Sequence, residues 1–197
     1  MNHYFEPGDG EWEAREITVR LAGREVVVET GPGMFSPEHI DTGTRILLDT
    51  VPDPVGTVLD IGCGWGPIAL TAAMLNPDST VWAIDVNHRG LELTQRNAER
   101  LELTNISVGN PDDVPADVMF DAIWSNPPIR VGKAELHDIL EKWIPRLVPG
   151  GVAYLVVAKK LGAESLMKWL GERWPDAAIS KPEIGKGFWV IEFEAAA

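Results

Sequence analysis

Two short stretches of this sequence carry residues that can do chemistry. The first, Asp60-Ile61-Gly62-Cys63-Gly64-Trp65-Gly66-Pro67, sets a carboxylate ahead of three alternate glycines and a proline. Glycines let the backbone turn sharply and let a ligand lie against the main chain. A proline suits the first position of a helix, where its missing N–H is harmless. Asp60 narrows the ligand: a carboxylate repels a pyrophosphate but attracts a cofactor with a cationic amino-acid moiety. Gly64, Gly66 and Ala69 also fit the G-x-G-x-x-A frame of dinucleotide-binding turns. In that frame the first glycine follows the strand directly, whereas Gly64 lies three residues beyond Ile61. Asp85 falls about 20 residues after Gly66, where an acid pairs with ribose hydroxyls. Asp112 and Asp113 follow the next strand at the same sheet edge. One of them can accept a hydrogen bond from an adenine amino group; the other reads as a solvated loop acid.

The second stretch is Ser125-Asn126-Pro127-Pro128-Ile129. Consecutive prolines stiffen the loop and remove two backbone donors, leaving carbonyls and the Asn126 amide aimed at a fixed place. That suits a substrate NH2 group, because the Asn126 side-chain oxygen and the Pro127 carbonyl can each accept one hydrogen. Holding both draws the nitrogen towards tetrahedral geometry and frees its lone pair for in-line attack on an electrophile held at the first stretch. Orientation of this kind is worth ~7–11 kcal/mol of barrier. No strong base is required, since the cofactor carries the chemistry and the proton becomes acidic once the nitrogen is alkylated. The plainer reading is a rigid strand-to-helix turn, where Asn-Pro is common.

Alternating strands and helices must position these loops. Thr57 to Ile61, Thr80 to Asp85, Asn105 to Val108, Met119 to Ser125 and Val152 to Ala158 read as strands. Pro67 to Leu75, His88 to Leu101, Lys133 to Leu147 (interrupted by Pro145) and Ala163 to Arg173 read as helices. This alternation predicts a mainly parallel, doubly wound α/β sheet. Ala178 to Ser180 and Phe188 to Phe193 suit a closing antiparallel pair. Before Pro54, Ile17 to Leu21 and Glu25 to Glu29 read as a hairpin across Ala22-Gly23, and a helix starts near Asp41, its N-cap, and stops at Pro52. Residues 1–54 are thus an N-terminal extension and 55–197 a core, expected to form one structural unit.

The bulk numbers are those of a globular protein. The chain has 197 residues, 45% hydrophobic and 24% charged, and a single cysteine. One cysteine excludes an internal disulfide and a cysteine-built zinc site, and the four histidines lack metal-ligand spacing, so no metal is expected. No run reaches the roughly 18 apolar residues of a membrane span. The N-terminus lacks the features of a secretory signal, and the cytoplasm is the expected compartment. The net charge of −13 sits badly with a nucleic-acid partner, since phosphate neutralisation supplies most of such affinity.

The glycine loop resembles motif I of class I S-adenosyl-L-methionine-dependent methyltransferases, with Asp60, Gly62, Gly64 and Gly66 in the loop, Asp85 in the ribose position and Asp112 in the adenine position. Ser-Asn-Pro-Pro resembles the (Asn/Asp/Ser)-Pro-Pro-(aromatic) motif of amino methyltransferases acting on adenine, guanine or glutamine amides. It departs from it at Ile129, so that another ring such as Phe35, or apolar contact, must hold a base. His3-Tyr4-Phe5, Gly33-Met34-Phe35-Ser36, Asp41-x-Gly43-Thr44-x-x-Leu47-Leu48 and Asn126-Pro-Pro-Ile-Arg-x-Gly-Lys133 together resemble the small methyltransferase domain of bacterial 16S ribosomal RNA guanine-N2 methyltransferases and of single-domain archaeal relatives. The resemblance implies a seven-stranded Rossmann-like sheet and methylation of an exocyclic amino group, with ribosomal RNA as partner. Asn126, Pro127, Pro128 and Ile129 would be catalytic, with Asn126 also at the cofactor. Phe35, Arg130 and Lys133 would meet substrate, with Lys159 and Lys160 extending a basic patch. RNA docking would then draw on the N-terminal extension, a homodimer or an accessory protein. A protein glutamine amide or small-molecule amine is the alternative substrate, and a non-catalytic cofactor-binding subunit the third reading.

Overall fold

A computed structural model describes residues 13–128 and 132–197. His3-Tyr4-Phe5, the acidic run before Glu13, Ile129 and Arg130 lie outside the described residues. The hairpin strands β1 (Arg15–Leu21) and β2 (Arg24–Thr30) pair in register across Ala22-Gly23. Both turn residues have positive φ, 46° and 74°, the geometry that matches the twist of a tight hairpin. Helix α1 (Thr42–Thr50) begins at Asp41, whose carboxylate accepts from the Gly43 and Thr44 N–H groups.

The core then alternates: β3 (Thr57–Ile61), α2 (Pro67–Leu75), β4 (Thr80–Ile84), α3 (His88–Arg100), β5 (Ile106–Gly109), β6 (Phe120–Ser125), α4 (Lys133–Trp143), β7 (Leu147–Ala158), α5 (Ala163–Arg173), β8 (Ala178–Gly185) and β9 (Phe188–Glu194). Among the described residues, seven strands form one sheet in the order β5-β4-β3-β6-β7-β9-β8. The pairs from β5 to β7 are parallel, and β9 is antiparallel to both of its neighbours.

Side-chain alternation gives the sheet two apolar faces. Leu59, Ile84, Ile123, Leu155 and Ile191 pack beneath Leu136 and Leu140 of α4 and Leu166 and Leu170 of α5. Val58, Ala83, Trp124, Val156 and Val190 face Leu47 of α1, Ile68 and Ala72 of α2, and Leu91 of α3. The hairpin covers the outside of α2 and α3 through Val19, Leu21 and Val28, against Leu70, Met74 and Leu93. Arg96 and Arg100 pair with Glu29, and Arg100 also with Glu16, which staples this layer down.

Two boundaries differ from the sequence expectation. The fourth core helix stops at Trp143, a short 3-10 turn covers Ile144–Arg146, and β7 already starts at Leu147. Pro145 cannot donate into a continuing helix. Strand β8 extends to Gly185, well beyond Ser180, with a register shift between Ser180 and Glu183. It lies at the sheet edge, where a proline such as Pro182 is tolerated and polar side chains face water.

Candidate active site

The chain winds outward from β3 to β4 and β5, then returns to place β6 on the other side of β3. Strand order therefore reverses between β3 and β6, and the crevice outside their carboxyl ends is where such sheets take ligands. Both stretches singled out from the sequence emerge there, one from each strand. Asp60 and Trp124 are paired neighbours across the two strands, and the Ser125 hydroxyl donates to the Ile61 carbonyl at 2.7 Å, tying the strand ends together.

Asp60 is fully buried beneath the glycine loop. Its Oδ2 accepts from the Ala69 N–H in the first turn of α2 at 3.0 Å, while its Oδ1 is buried without a partner among the described residues. Burial, opposed by the Ala69 hydrogen bond and reinforced by the nearby Asp85 charge, holds its pKa well above the ordinary carboxylate value. The loop above it needs its glycines. Gly62, Gly64 and Gly66 have φ of 76°, 56° and 100°, conformations that side chains rarely adopt. Among the described residues, a Cβ on Gly62 would come no nearer than 3.9 Å, to Pro128 Cδ, and one on Gly64 would meet nothing within 4 Å. Gly62 and Gly64 thus face open space among the described residues, Gly62 on the side where Pro128 of the second loop lies, whereas a Cβ on Gly66 would press on Leu70 and Thr94 at 3.0 Å. From below, Gly90 of α3 comes so close that a Cβ there would sit 2.9 Å from the Gly64 carbonyl. Cys63 is buried, and burial with the Asp60 and Asp85 charges pushes its thiol up, so it stays protonated and inert.

Asp85, at the carboxyl end of β4, accepts from the Gly64 N–H at 2.8 Å and the Asn87 N–H at 2.9 Å. Capping of α3 falls to Asn87, which accepts from the Arg89 N–H. Asp112 is turned outward, with its side chain 93% exposed and paired to Lys142 at 2.9 Å. Asp113 closes its own turn by accepting from the Asn110 N–H at 2.7 Å.

Asn126 is half-buried, and its amide is held on one side. Nδ2 donates to Asp41 Oδ2 and to Thr44 Oγ1, both at 3.1 Å. Among the described residues, Oδ1 is the atom left to accept from a ligand. Phe35 is 54% exposed in the loop that leads to Asp41. Lys133 is exposed at the first turn of α4, and Lys159 and Lys160 are exposed just beyond β7, also at the carboxyl edge. Sequence reasoning missed the contacts of Asp41 and Thr44 with Asn126. It also passed over Val86, a 60%-exposed apolar residue beside Asp85 that offers a flat ring a surface to cover.

The family model for the methyltransferase small domain matches residues 25–181. This chain belongs to that family. Methyltransferases of this family use S-adenosyl-L-methionine, and the chain is such an enzyme. Its residues fit the cofactor: Asp60 has an orphaned carboxylate oxygen, and Gly62 and Gly64 leave a cradle that side chains would fill. YbxB of Bacillus subtilis, an uncharacterized protein, is 34% identical over 196 residues, covering 97% of this chain and 96% of that one. Ribosomal RNA small subunit methyltransferase C of Mannheimia succiniciproducens is 33% identical over 137 residues, covering 67% of this methyltransferase and 41% of the relative. The T. thermophilus 16S rRNA N2 G1207 methyltransferase RsmC, solved with AdoMet and guanosine, superposes with a TM-score of 0.80 at 25% identity. That match covers 96% of this chain and 52% of RsmC. The chain thus spans about half the length of the ribosomal RNA methyltransferases it matches. The seven-stranded class I architecture expected from the sequence is the one it shares with RsmC.

Proposed function

We propose that this methyltransferase acts on an exocyclic amino group, guanine N2 of ribosomal RNA. The observation that carries this reading is the amide of Asn126. With Nδ2 engaged by Asp41 and Thr44, it presents an acceptor, which selects a substrate atom that carries hydrogen. Asp60 and the loop Gly62 to Gly66 would hold the methionine part of the cofactor, Asp85 the ribose, and Val86 a face of the adenine. Asp112 would serve the adenine amino group after leaving Lys142. When bound, S-adenosyl-L-methionine supplies an electrophilic methyl group on a sulfonium. Asn126 Oδ1 and the Pro127 carbonyl hold the two amine hydrogens, directing the lone pair towards the glycine loop. The same acceptors stabilise the positive charge that develops on the nitrogen. Its surplus proton is acidic enough to leave to water, so no side chain need act as a strong base.

The likeness to RsmC, a guanine-N2 methyltransferase solved with guanosine, supports guanine as the target. A guanine amino group must leave the stack to reach such a site. Phe35 and the segment at Ile129 would hold the base, while Lys133, Arg130, Lys159 and Lys160 would meet phosphates. The N-terminal extension, a second copy or an accessory protein would supply further RNA contacts. The net charge of −13 favours a second reading, methylation of a protein glutamine amide or a small-molecule amine. Methyl-labelled cofactor, offered with ribosomal RNA and ribosomal proteins from a strain lacking the gene, separates them. Label recovered as N2-methylguanine supports the first; label in protein or in small molecules overturns it. Label in neither would overturn the ribosomal reading.

A further inference from the structure

We infer that Asp41 and Thr44, in the N-terminal extension, are positioning residues for Asn126, so that the first turn of α1 completes the amino-group site. The inference rests on the proposed role of Asn126 and adds what fixes it. Asp41 Oδ2 accepts three hydrogen bonds: from Gly43 N at 2.8 Å, Thr44 N at 3.2 Å and Asn126 Nδ2 at 3.1 Å. The first two form an ordinary helix cap. The third joins residues 85 positions apart in the chain and has nothing to do with capping.

The chemistry of the pair settles the direction of the amide. A free asparagine amide turns over between two faces, because its terminal torsion is broad and two-fold. An ionised carboxylate can only accept. The face of Asn126 towards Asp41 must therefore be NH2, since a turned amide would set its oxygen against the Asp41 oxygen. Thr44 Oγ1 engages Nδ2 at 3.1 Å and takes the other hydrogen. Thr44 is 3% exposed, and a helix cap does not need its hydroxyl there.

The motif Asp41-x-Gly43-Thr44 acquires a geometric reason. A Cβ on Gly43 would lie 2.9 Å from the Phe188 ring and 3.0 Å from Asp41 Oδ2. Glycine lets α1 seat against the start of β9, with Leu47 fully buried behind it, and so makes the cap a fixed platform. The arrangement also selects asparagine at position 126. An aspartate there would bring a second carboxylate to the place where Asp41 Oδ2 accepts.

The test uses Thr44→Val, which keeps shape and removes the acceptor, and Asp41→Ser, which keeps a good N-cap but withdraws the oxygen from Asn126. Asp41→Asn is the conservative rescue, because its amide oxygen can both cap and accept. The first readout is the side-chain amide resonance pair of Asn126, assigned by its disappearance in Asn126→Ala. The second is methyl transfer to ribosomal RNA from a strain lacking the gene. In Thr44→Val and Asp41→Ser the amide pair should shift and exchange faster with water. Turnover should fall about tenfold in each and about a hundredfold together, the scale of a misplaced reacting group. KM for RNA and cofactor affinity should hold, and Asp41→Asn should keep most of the turnover. Unchanged amide resonances and turnover, with Asn126→Ala inactive, would overturn this inference while leaving the reading of Asn126 standing. Full turnover in Asn126→Ala would overturn both. Parallel losses of turnover, melting temperature and cofactor affinity in Thr44→Val would reduce the contact to a packing role and overturn it as well.

Discussion

Asp85 ties two strand ends together, its carboxylate accepting from Gly64 N–H at 2.8 Å on the glycine loop and from Asn87 N–H at 2.9 Å at the start of α3. Each oxygen has its own donor. In Asp85→Asn one of those positions becomes an NH2 group facing an N–H, so one of the two bonds, to the glycine loop or to the start of α3, is replaced by a repulsion. The cost of the unmade bond is ~1–3 kcal/mol. Calorimetry should show cofactor affinity down at least about tenfold, with a lower melting temperature for the free protein. Wild-type affinity in this variant would mean that Asp85 matters to neither loop nor ligand.

Asn97 is a second junction. Fully buried in α3, it accepts from Glu29 N at 2.6 Å and donates to Glu29 O at 2.9 Å, as a strand neighbour would. It also donates to the Trp65 carbonyl at 3.0 Å, inside the glycine loop. Asn97→Ala leaves these groups buried without partners, and the loss should reach about 2–4 kcal/mol. Denaturant unfolding should show that loss, and hydrogen exchange should rise in β2 and at the glycine loop together. A change confined to the hairpin would uncouple the two.

Such junctions mark where sequence reading stops. The glycine loop, the Asp41 cap and the strand–helix alternation are local patterns, each legible within a few residues. Asp41 reads as an N-cap because its partners, Gly43 and Thr44, are two and three positions away. Its contact with Asn126 depends on how α1 docks on the sheet, which no spacing reports. The outward turn of Asp112 towards Lys142 is tertiary for the same reason. Strand β8 was short in the sequence because Lys181-Pro182-Glu183 carries the composition of a loop; an edge position tolerates it.

Asp60 carries a pH prediction. Its pKa is raised well above 3.8 by burial, so between the unfolded and folded values the folded protein binds the extra proton. Stability of the free protein from this group is full below the unfolded value and is lost as pH rises through the folded one. A cationic cofactor favours the charged carboxylate, so cofactor affinity should rise over the same range and binding should release protons. Calorimetry in buffers of different ionisation enthalpy measures that release. Asp60→Asn should abolish both pH trends; trends that persist in it would point to another group.

Lys133 tests how an acidic protein would hold RNA. Exposed at the start of α4, it should contribute through charge. Lys133→Glu should reduce RNA methylation, lower the salt slope by about one unit, and leave cofactor affinity intact. The same holds for Arg130→Glu. Methylation insensitive to salt and to both substitutions would favour a protein or small-molecule amine.

The most direct measurement is a map of methylated guanosines in ribosomal RNA from a strain lacking the gene, complemented with wild type or with Asn126→Ala. The account predicts that N2-methylation disappears at a guanosine in the deletion strain and returns with the wild type. It should not return with Asn126→Ala, even though that variant binds cofactor with nearly wild-type affinity. An unchanged guanosine map in the deletion strain, or full restoration by Asn126→Ala, would contradict it.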